Sequence, residues 1–305
     1  MERSVTQISQ EEERMDDPAH PVPSAAATGA PAVRIHRLGA VASTQDEAAA
    51  LLRGGKAPPF ALTARRQTVG RGRLGRAFSS PDGASLALTF VHRSGLDPAR
   101  RGWFPLAAGL AALSALDRVV PGGDGAERIG LKWPNDVHAA DGRKLGGILV
   151  EARGADDLLL GIGLNLRGPV LDPEGAPVPG AAWLRGPGGL RPDAGPSDDA
   201  RLREALEEAL AAALREELGA LESAGGDGEA AGTRRRYTMT CLTLGRVVRV
   251  DPLGEAAGSA DAERALHGTA QGVDGRGRLV LDRADGRGEI AVDVGDVRHL
   301  RPAAP

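Results

Sequence analysis

The stretch IGLKWPNDVHAADGRKLGGILVEARGADDLLLGIGLNLR (129–167) decides the fold class. Within it, GGILVEAR (146–153) and DLLLGIGLNLR (157–167) are apolar runs of strand length separated only by Gly154–Asp156, so they read as neighbouring strands joined by a tight loop. Upstream, IGLK is a short strand that meets a turn at PND, where Pro134 fixes the backbone. Working outward, VRIHRL (33–38), FALTARRQ (60–67) and SLALTFVH (85–92) are further strands, with FALTARRQ read as alternating. Between the first two, Ser43-Thr44 open TQDEAAALLRGG, which has acids in its first turn and glycines at its end, the punctuation of a helix. GWFPLAAGLAALSALDRVV (102–120) is a buried helix whose Pro105 is tolerable only in the first turn. The chain is therefore α/β.

Beyond Arg167 a Gly/Pro-rich segment to about Pro196 reads as a surface loop partly pinned by Trp183. SDDARLREALEEALAAALREELGALES (197–223) is an amphipathic helix, and AGGDGEAAG after it reads as a loose connector. Short alternating runs with Gly/Asp turns then predict a small β-barrel over 240–303. Residues 1–32 lack periodicity and end in HPVPSAAATGAPA, as a disordered tail would. The expected organisation is a tail (1–32), a main domain (33–235) and the small barrel (240–303).

A net charge of −3 argues against a general nucleic-acid surface. No apolar run approaches the roughly 18 residues of a membrane span, and the polar, acidic start MERSVTQISQEEERMDDP is unlike a signal peptide. Cys241 is the single cysteine, and no Cys/His cluster has zinc spacing. A cytoplasmic protein without a structural metal is expected. The chain has three lysines and two asparagines, and LKWPNDVHAADGRKLGG (131–147) holds Lys132, Lys144 and Asn135. Where a chain this rich in arginine keeps lysine, a compact rotatable ammonium is the group it retains.

Four motifs carry chemistry. In QTVGRGRLGRAFSS (67–80), alternating Gly and Arg let the backbone approach a ligand and offer forked donors to carboxylate or phosphate. A flexible basic loop or an RNA-binding arginine–glycine segment is the competing reading. KWPND with the following KLGG brings two ammonium groups, an amide and a carboxylate together, although a β-turn with exposed charges explains PND equally well. GIGLN (161–165) ends a strand at Asn165, for which a strand-end turn is the plainer account; Ser43-Thr44-Gln45 alone is most simply a helix cap.

Taken together and in this order, Ser-Thr-x before a helix, QTVGRGRLGR, KWPND…KLGGIL and GIGLN resemble the catalytic domain of biotin–protein ligases. The resemblance covers about 36–167 and continues more weakly to the end, where GRVVRV…GTAQGVDGRGRLVL…GDVRHLRP looks like that family's C-terminal barrel of the Src-homology-3 type. It implies a mixed-sheet catalytic domain related to class II aminoacyl-tRNA synthetases. The implied reaction activates biotin with ATP and Mg²⁺ to biotinyl-5′-AMP, then transfers biotin to a lysine of a biotin carboxyl carrier domain. On this resemblance Ser43, Thr44, Gln45 and Gln67 hold the biotin ring; Arg71, Gly72 and Arg73 cover it; Lys144, with Gly147, adjoins its carboxylate. Arg76, Phe78, Lys132, Asn135, Asp136 and Asn165 fall near the nucleotide, and Lys144, Arg73, Arg76 and Asp136 are the candidate catalytic groups. Two departures stand out: Gln45 where the family usually has Asn, and Phe78 where it commonly has Trp. Some relatives carry an N-terminal helix-turn-helix; residues 1–32 are too short and polar for one, so DNA binding is not expected. A lipoate or octanoate ligase of the related fold, or a non-enzymatic scaffold, are the alternatives.

Overall fold

The computed structural model of the chain describes residues 32–72, 82–172, 174–252, 265–293 and 295–300. The expected tail, apart from Ala32, and the site candidates Arg73, Arg76 and Phe78 lie outside the described residues.

A seven-stranded sheet contains β1 (Arg34–Val41), β2 (Phe60–Gln67), β3 (Ser85–Arg93), β4 (Ile129–Lys132), β5 (Asp136–Ala139), β6 (Lys144–Arg153) and β7 (Asp157–Asn165) in the order β1-β2-β3-β7-β6-β5-β4. Only β1 and β2 are parallel, because α1 (Thr44–Arg53) forms a crossover between them. The other neighbours are antiparallel, and β6 and β7 pair from Gly146↔Leu164 to Arg153↔Asp157 around the turn at Gly154, whose φ is +65°.

β2 does not alternate: Phe60 to Ala64 are all buried. The physical reason is cover on both faces. Phe60, Val91 and Leu159 pack with Ala48 and Ala49 of α1, while their strand neighbours Ala61, Phe90 and Leu160 belong to the main core with α2 (Phe104–Val119) and α3 (Asp199–Ser223). A strand clothed on both sides needs apolar residues at successive positions. A 3₁₀ turn at Pro98–Trp103, capped by Asp97, precedes α2 and places Pro105 in its first turn. At the start of α3, the Asp198 carboxylate accepts from Ala200 N at 2.6 Å.

The segment after α3 is packed rather than loose. Gly226 and Gly228 are buried, and a side chain at Gly228 would overlap the Trp103 indole. This run leads into α4 (Thr233–Thr240), a helix not foreseen from the sequence, whose Tyr237 ring lies edge-on to Trp103 at 6.4 Å.

A second, antiparallel sheet is formed by β8 (Val247–Pro252), β9 (Leu266–Val273), β10 (Leu279–Arg283), β11 (Glu289–Val292) and β12 (Gly295–His299), in the order β11-β10-β9-β8-β12. Two buried indoles fasten it: Trp103 Nε1 donates to Gly275 O at 2.8 Å and Trp133 Nε1 to Gly277 O at 3.1 Å. On the other flank, Trp133 N donates to Thr243 Oγ1, leaving that hydroxyl's own proton for His299 Nε2, each at 3.1 Å.

Burial pushes the His299 imidazole down to about 4, aided by Lys132, Arg246 and His138. The folded protein therefore resists a proton that the unfolded chain accepts near pH 6.5. Stability should be full above that pH and decline as the pH falls towards about 4. Thermal melts at about pH 7 and about pH 4.5 check this: His299→Gln should show a smaller loss than the wild type, and an equal loss would remove His299 as the cause.

Candidate active site

A cavity of about 460 Å³ is bounded by the start of α1, the end of β2, the middle of β3, β6 and β7, and the segment 170–181. Local structure fixes its polar groups in two sets.

The first set surrounds Thr44. Ser43 occupies the N-cap position in extended backbone, yet its side chain makes no capping bond, so its hydroxyl is not spent on the helix. Thr44 N donates to Gln67 Oε1 at 2.7 Å, which fixes the orientation of that amide. The Thr44 hydroxyl donates to the same oxygen at 3.0 Å and accepts from Thr89 at 2.9 Å. With these protons assigned, Gln67 turns its Nε2 donors elsewhere and Thr44 keeps one lone pair unused. Gln45 Nε2 donates to Leu149 O at 2.9 Å, and the side chain lies where any substituent on Gly161 would sit. A Cβ at Gly161, the first glycine of GIGLN, would push the Gln45 amide out of this place.

The second set centres on Lys144. Its Nζ lies 2.6 Å from Asp136 Oδ1, and its backbone is held on both sides, N donating to Gly180 O and O accepting from Ala182 N. Burial alone would raise the Asp136 carboxyl, but His138 and the Lys144 ammonium outweigh it and hold the group at about 2. Gly147 leaves the space beside this pair open: a Cβ there would sit 3.4 Å from both Asp136 Oδ1 and Lys144 Nζ.

Asn135 and Asn165 both line the cavity, but their amide nitrogens are engaged in building it. Asn135 Nδ2 donates to Ile148 O and Asn165 Nδ2 to Ala182 O, each at 2.9 Å. The second bond tethers the Gly/Pro-rich segment, which is exposed over 174–180 as a surface loop would be but also serves the site: Val170, Leu171, Val178 and Pro179 form a cavity wall, and Leu184 and Leu190 are buried. Arg71 and Gly72 line the cavity from the base of the GRGR loop, with the Arg71 guanidinium paired through both terminal nitrogens to Asp46 at 2.7 and 2.9 Å.

Ser43, Thr44, Gln45, Gln67, Arg71, Gly72, Asn135, Asp136, Lys144, Gly147 and Asn165 are thus brought to one cavity. Lys132 is not; it ends β4 opposite Asp136, and its charge is felt by His299. Sequence reasoning missed Thr89, the wall residues and Asp296, which reaches the cavity from the second sheet. Thr89 could have been flagged as a polar residue inside the apolar run LALTFV of β3; Asp296 had no such signal. Among the described residues no group of three or more His, Cys, Asp or Glu is placed to hold a metal.

Residues 40–166 match the biotin/lipoate A/B protein ligase family. The chain is 36% identical over 243 residues to the biotin–[acetyl-CoA-carboxylase] ligase of Mycobacterium tuberculosis, a match covering 79% of each protein. It is 31% identical to the ligase of the same name from Paracoccus denitrificans, over 78% of this chain and 90% of that one. The biotin protein ligase of Aquifex aeolicus, solved with biotin and ATP, superposes with a TM-score of 0.64 at 25% identity, covering 88% of this chain and 99% of that one. The chain belongs to the biotin/lipoate A/B protein ligase family, and its mixed sheet with a second antiparallel sheet is the arrangement of biotin protein ligase structures. Within that family, both of these long sequence matches are to biotin–[acetyl-CoA-carboxylase] ligases.

Proposed function

We propose that this chain joins biotin to ATP as biotinyl-5′-AMP and passes the biotinyl group to a lysine of a biotin carboxyl carrier domain. The observation that carries the reading is the pairing, in one cavity, of the Thr44–Gln67 set with the Lys144–Asp136 pair. A cyclic urea presents a carbonyl flanked by N–H groups. Gln67 Nε2 and the Ser43 hydroxyl suit the carbonyl, and the spare lone pair of Thr44 suits an N–H. Lipoate and octanoate have no such groups and would leave buried polar atoms unpaired, a discrimination built into the site rather than its size.

Biotin's carboxylate attacks the α-phosphorus of ATP, and pyrophosphate departs. Charge gathers on phosphate oxygens in that step, and Lys144 is the fixed cation for it; Arg71, Arg73 and Arg76 add donors on the strength of the family resemblance. Asn135, Asp136, Asn165 and Phe78 fall to the nucleotide side in this reading. Lys132 supports it least, because it lies off the cavity wall. Mg²⁺ enters as part of the nucleotide, held mainly by phosphate oxygens and water. In the second step the carrier's amine attacks the acyl carbon and AMP leaves.

The same reading treats 33–235 as the catalytic domain, of the class II aminoacyl-tRNA synthetase type, and 240–303 as a barrel of the Src-homology-3 type, the latter supported by the separate five-stranded sheet. Among the described residues no helix is long and apolar enough to cross a membrane, and a cytoplasmic carrier is the substrate proposed.

Pyrophosphate release tests the proposal directly. It should require both ATP and biotin, and lipoate or octanoate in place of biotin should give none. Release with lipoate but not biotin, or with neither, would end the reading.

A further inference from the structure

The transfer step needs a neutral amine, and a carrier lysine arrives as an ammonium with an ordinary pKa of about 10.4. Asp136 faces the cavity, but the Lys144 ammonium 2.6 Å from its Oδ1 makes the carboxylate a poor place to leave a proton. Behind it, away from the cavity, lies His138, a buried residue on the same strand that nothing in the reaction as described above employs.

The proton inventory of this cluster is incomplete. His138 Nδ1 lies 3.1 Å from Gly142 O, and a carbonyl can only accept, so Nδ1 carries the ring proton. In the neutral ring Nε2 is then a bare lone pair. It is buried, has no hydrogen-bond partner, and lies 3.7 Å from Asp136 Oδ2. Two acceptors facing each other in a buried site leave a place for one more proton between them. The other Asp136 oxygen already takes the Lys144 ammonium. Asp141 in the following turn and His299 on β12 are titratable groups that also face His138.

We propose that His138 receives, through Asp136, the proton that the carrier lysine gives up before it attacks biotinyl-5′-AMP. The inference rests on the ligase reading above. The ammonium N–H bond breaks towards Asp136 Oδ2, and the proton settles on His138 Nε2. The amine lone pair then forms the C–N bond as the bond from the acyl carbon to the phosphate oxygen breaks. AMP carries away that electron pair, and the second nitrogen proton goes to solvent. His138 does not touch the substrate; it acts by making Asp136 an effective acceptor.

The test separates the two half-reactions in the full-length protein. His138→Asn keeps a donor for Gly142 O and replaces the basic Nε2 with an amide oxygen that cannot hold a proton near neutral pH; His138→Gln is a second variant of similar reach. Pyrophosphate release on mixing with biotin and MgATP reports adenylate formation, and single-turnover transfer to a biotin carboxyl carrier domain reports the second step. Both variants should form adenylate within about threefold of wild type yet transfer about a hundredfold more slowly at neutral pH. That deficit should shrink steadily towards about pH 10, where solvent deprotonates the lysine. Transfer within about threefold of wild type at neutral pH overturns the proposal, since general-base assistance is worth more. So does a deficit that is the same at every pH, or a parallel loss of adenylation in both variants, since each marks a structural residue. Failure of the wild type itself to release pyrophosphate would count against the ligase reading instead.

Discussion

Lys144→Arg is expected to form biotinyl-5′-AMP at least about a hundredfold more slowly than the wild type, although the charge is kept. The surroundings of Lys144 leave little freedom to adapt. Its main chain is locked to Gly180 and Ala182, its ammonium sits 2.6 Å from Asp136 Oδ1, and only the absence of a side chain at Gly147 keeps the adjoining space open. A guanidinium is planar and broader, and its pairing with Asp136 would turn the fork towards the carboxylate rather than the phosphorus. Losing one well-placed donor to developing charge typically costs about 3–4 kcal/mol. Pyrophosphate release under saturating biotin and ATP is the measurement, with a melting curve to confirm folding. A Lys144→Arg protein that keeps pace within about threefold would remove Lys144 from the catalytic role, since such a deficit is below about 1 kcal/mol.

Gly146→Ala should cost stability and activity together. Gly146 pairs with Leu164 on the cavity floor, and an added Cβ would overlap the carbonyl of Gly163 and come within 2.7 Å of Leu164 Cδ2. The carbonyl is backbone and cannot turn aside, so β6 and β7 would have to part beneath the ligand. Such overpacking costs about 3 kcal/mol, which for a chain of this size lowers the melting temperature by about 6–12 °C. Gly39→Ala on β1, with nothing within 4 Å of the new carbon, is the matched control and should melt almost unchanged. Equal melting of the two variants would show that the floor yields more easily than its packing suggests.

The parts of the fold legible in the sequence are those written in local pattern. β6 and β7 are runs of apolar residues between tight turns, and α3 carries an N-cap and an amphipathic stripe, so both follow from spacing alone. What escaped depends on tertiary neighbours. Gly226 and Gly228 look like a flexible linker until Arg100 is seen against the first and Trp103 against the second, and the segment 170–182 looks like no more than a surface loop until Asn165 and Lys144 are seen holding it. The site was legible to the extent that its residues cluster in motifs, since eleven of the predicted positions meet in one cavity. Lys132 is a different case: it pairs across from Asp136 yet lies off the cavity, its charge felt by His299, a placement that nearness in sequence does not reveal. Asp296 and His138 fall within quoted stretches but are not among the residues that define the motifs; only the fold brings one to the cavity and sets the other beside Asp136.

The fastening of the second sheet has a consequence for how such chains can diverge. At Gly275 and Gly277 the acceptors are main-chain carbonyls, while the donors are the indoles of Trp103 and Trp133. A carbonyl is the same in every amino acid, so the side chain at Arg276 can drift without loosening the joint, provided Asp274 keeps its carboxylate on the main-chain N–H groups of Arg276 and Arg278 and position 277 keeps its left-handed backbone at φ +81°. The tryptophans have no such latitude, because no other side chain combines that bulk with a single outward N–H. Substitutions over evolutionary time should therefore accumulate more readily on the sheet's side of the joint, and a second sheet transplanted from a distant relative should dock on this chain if it brings the turn's shape and the carboxylate that holds it.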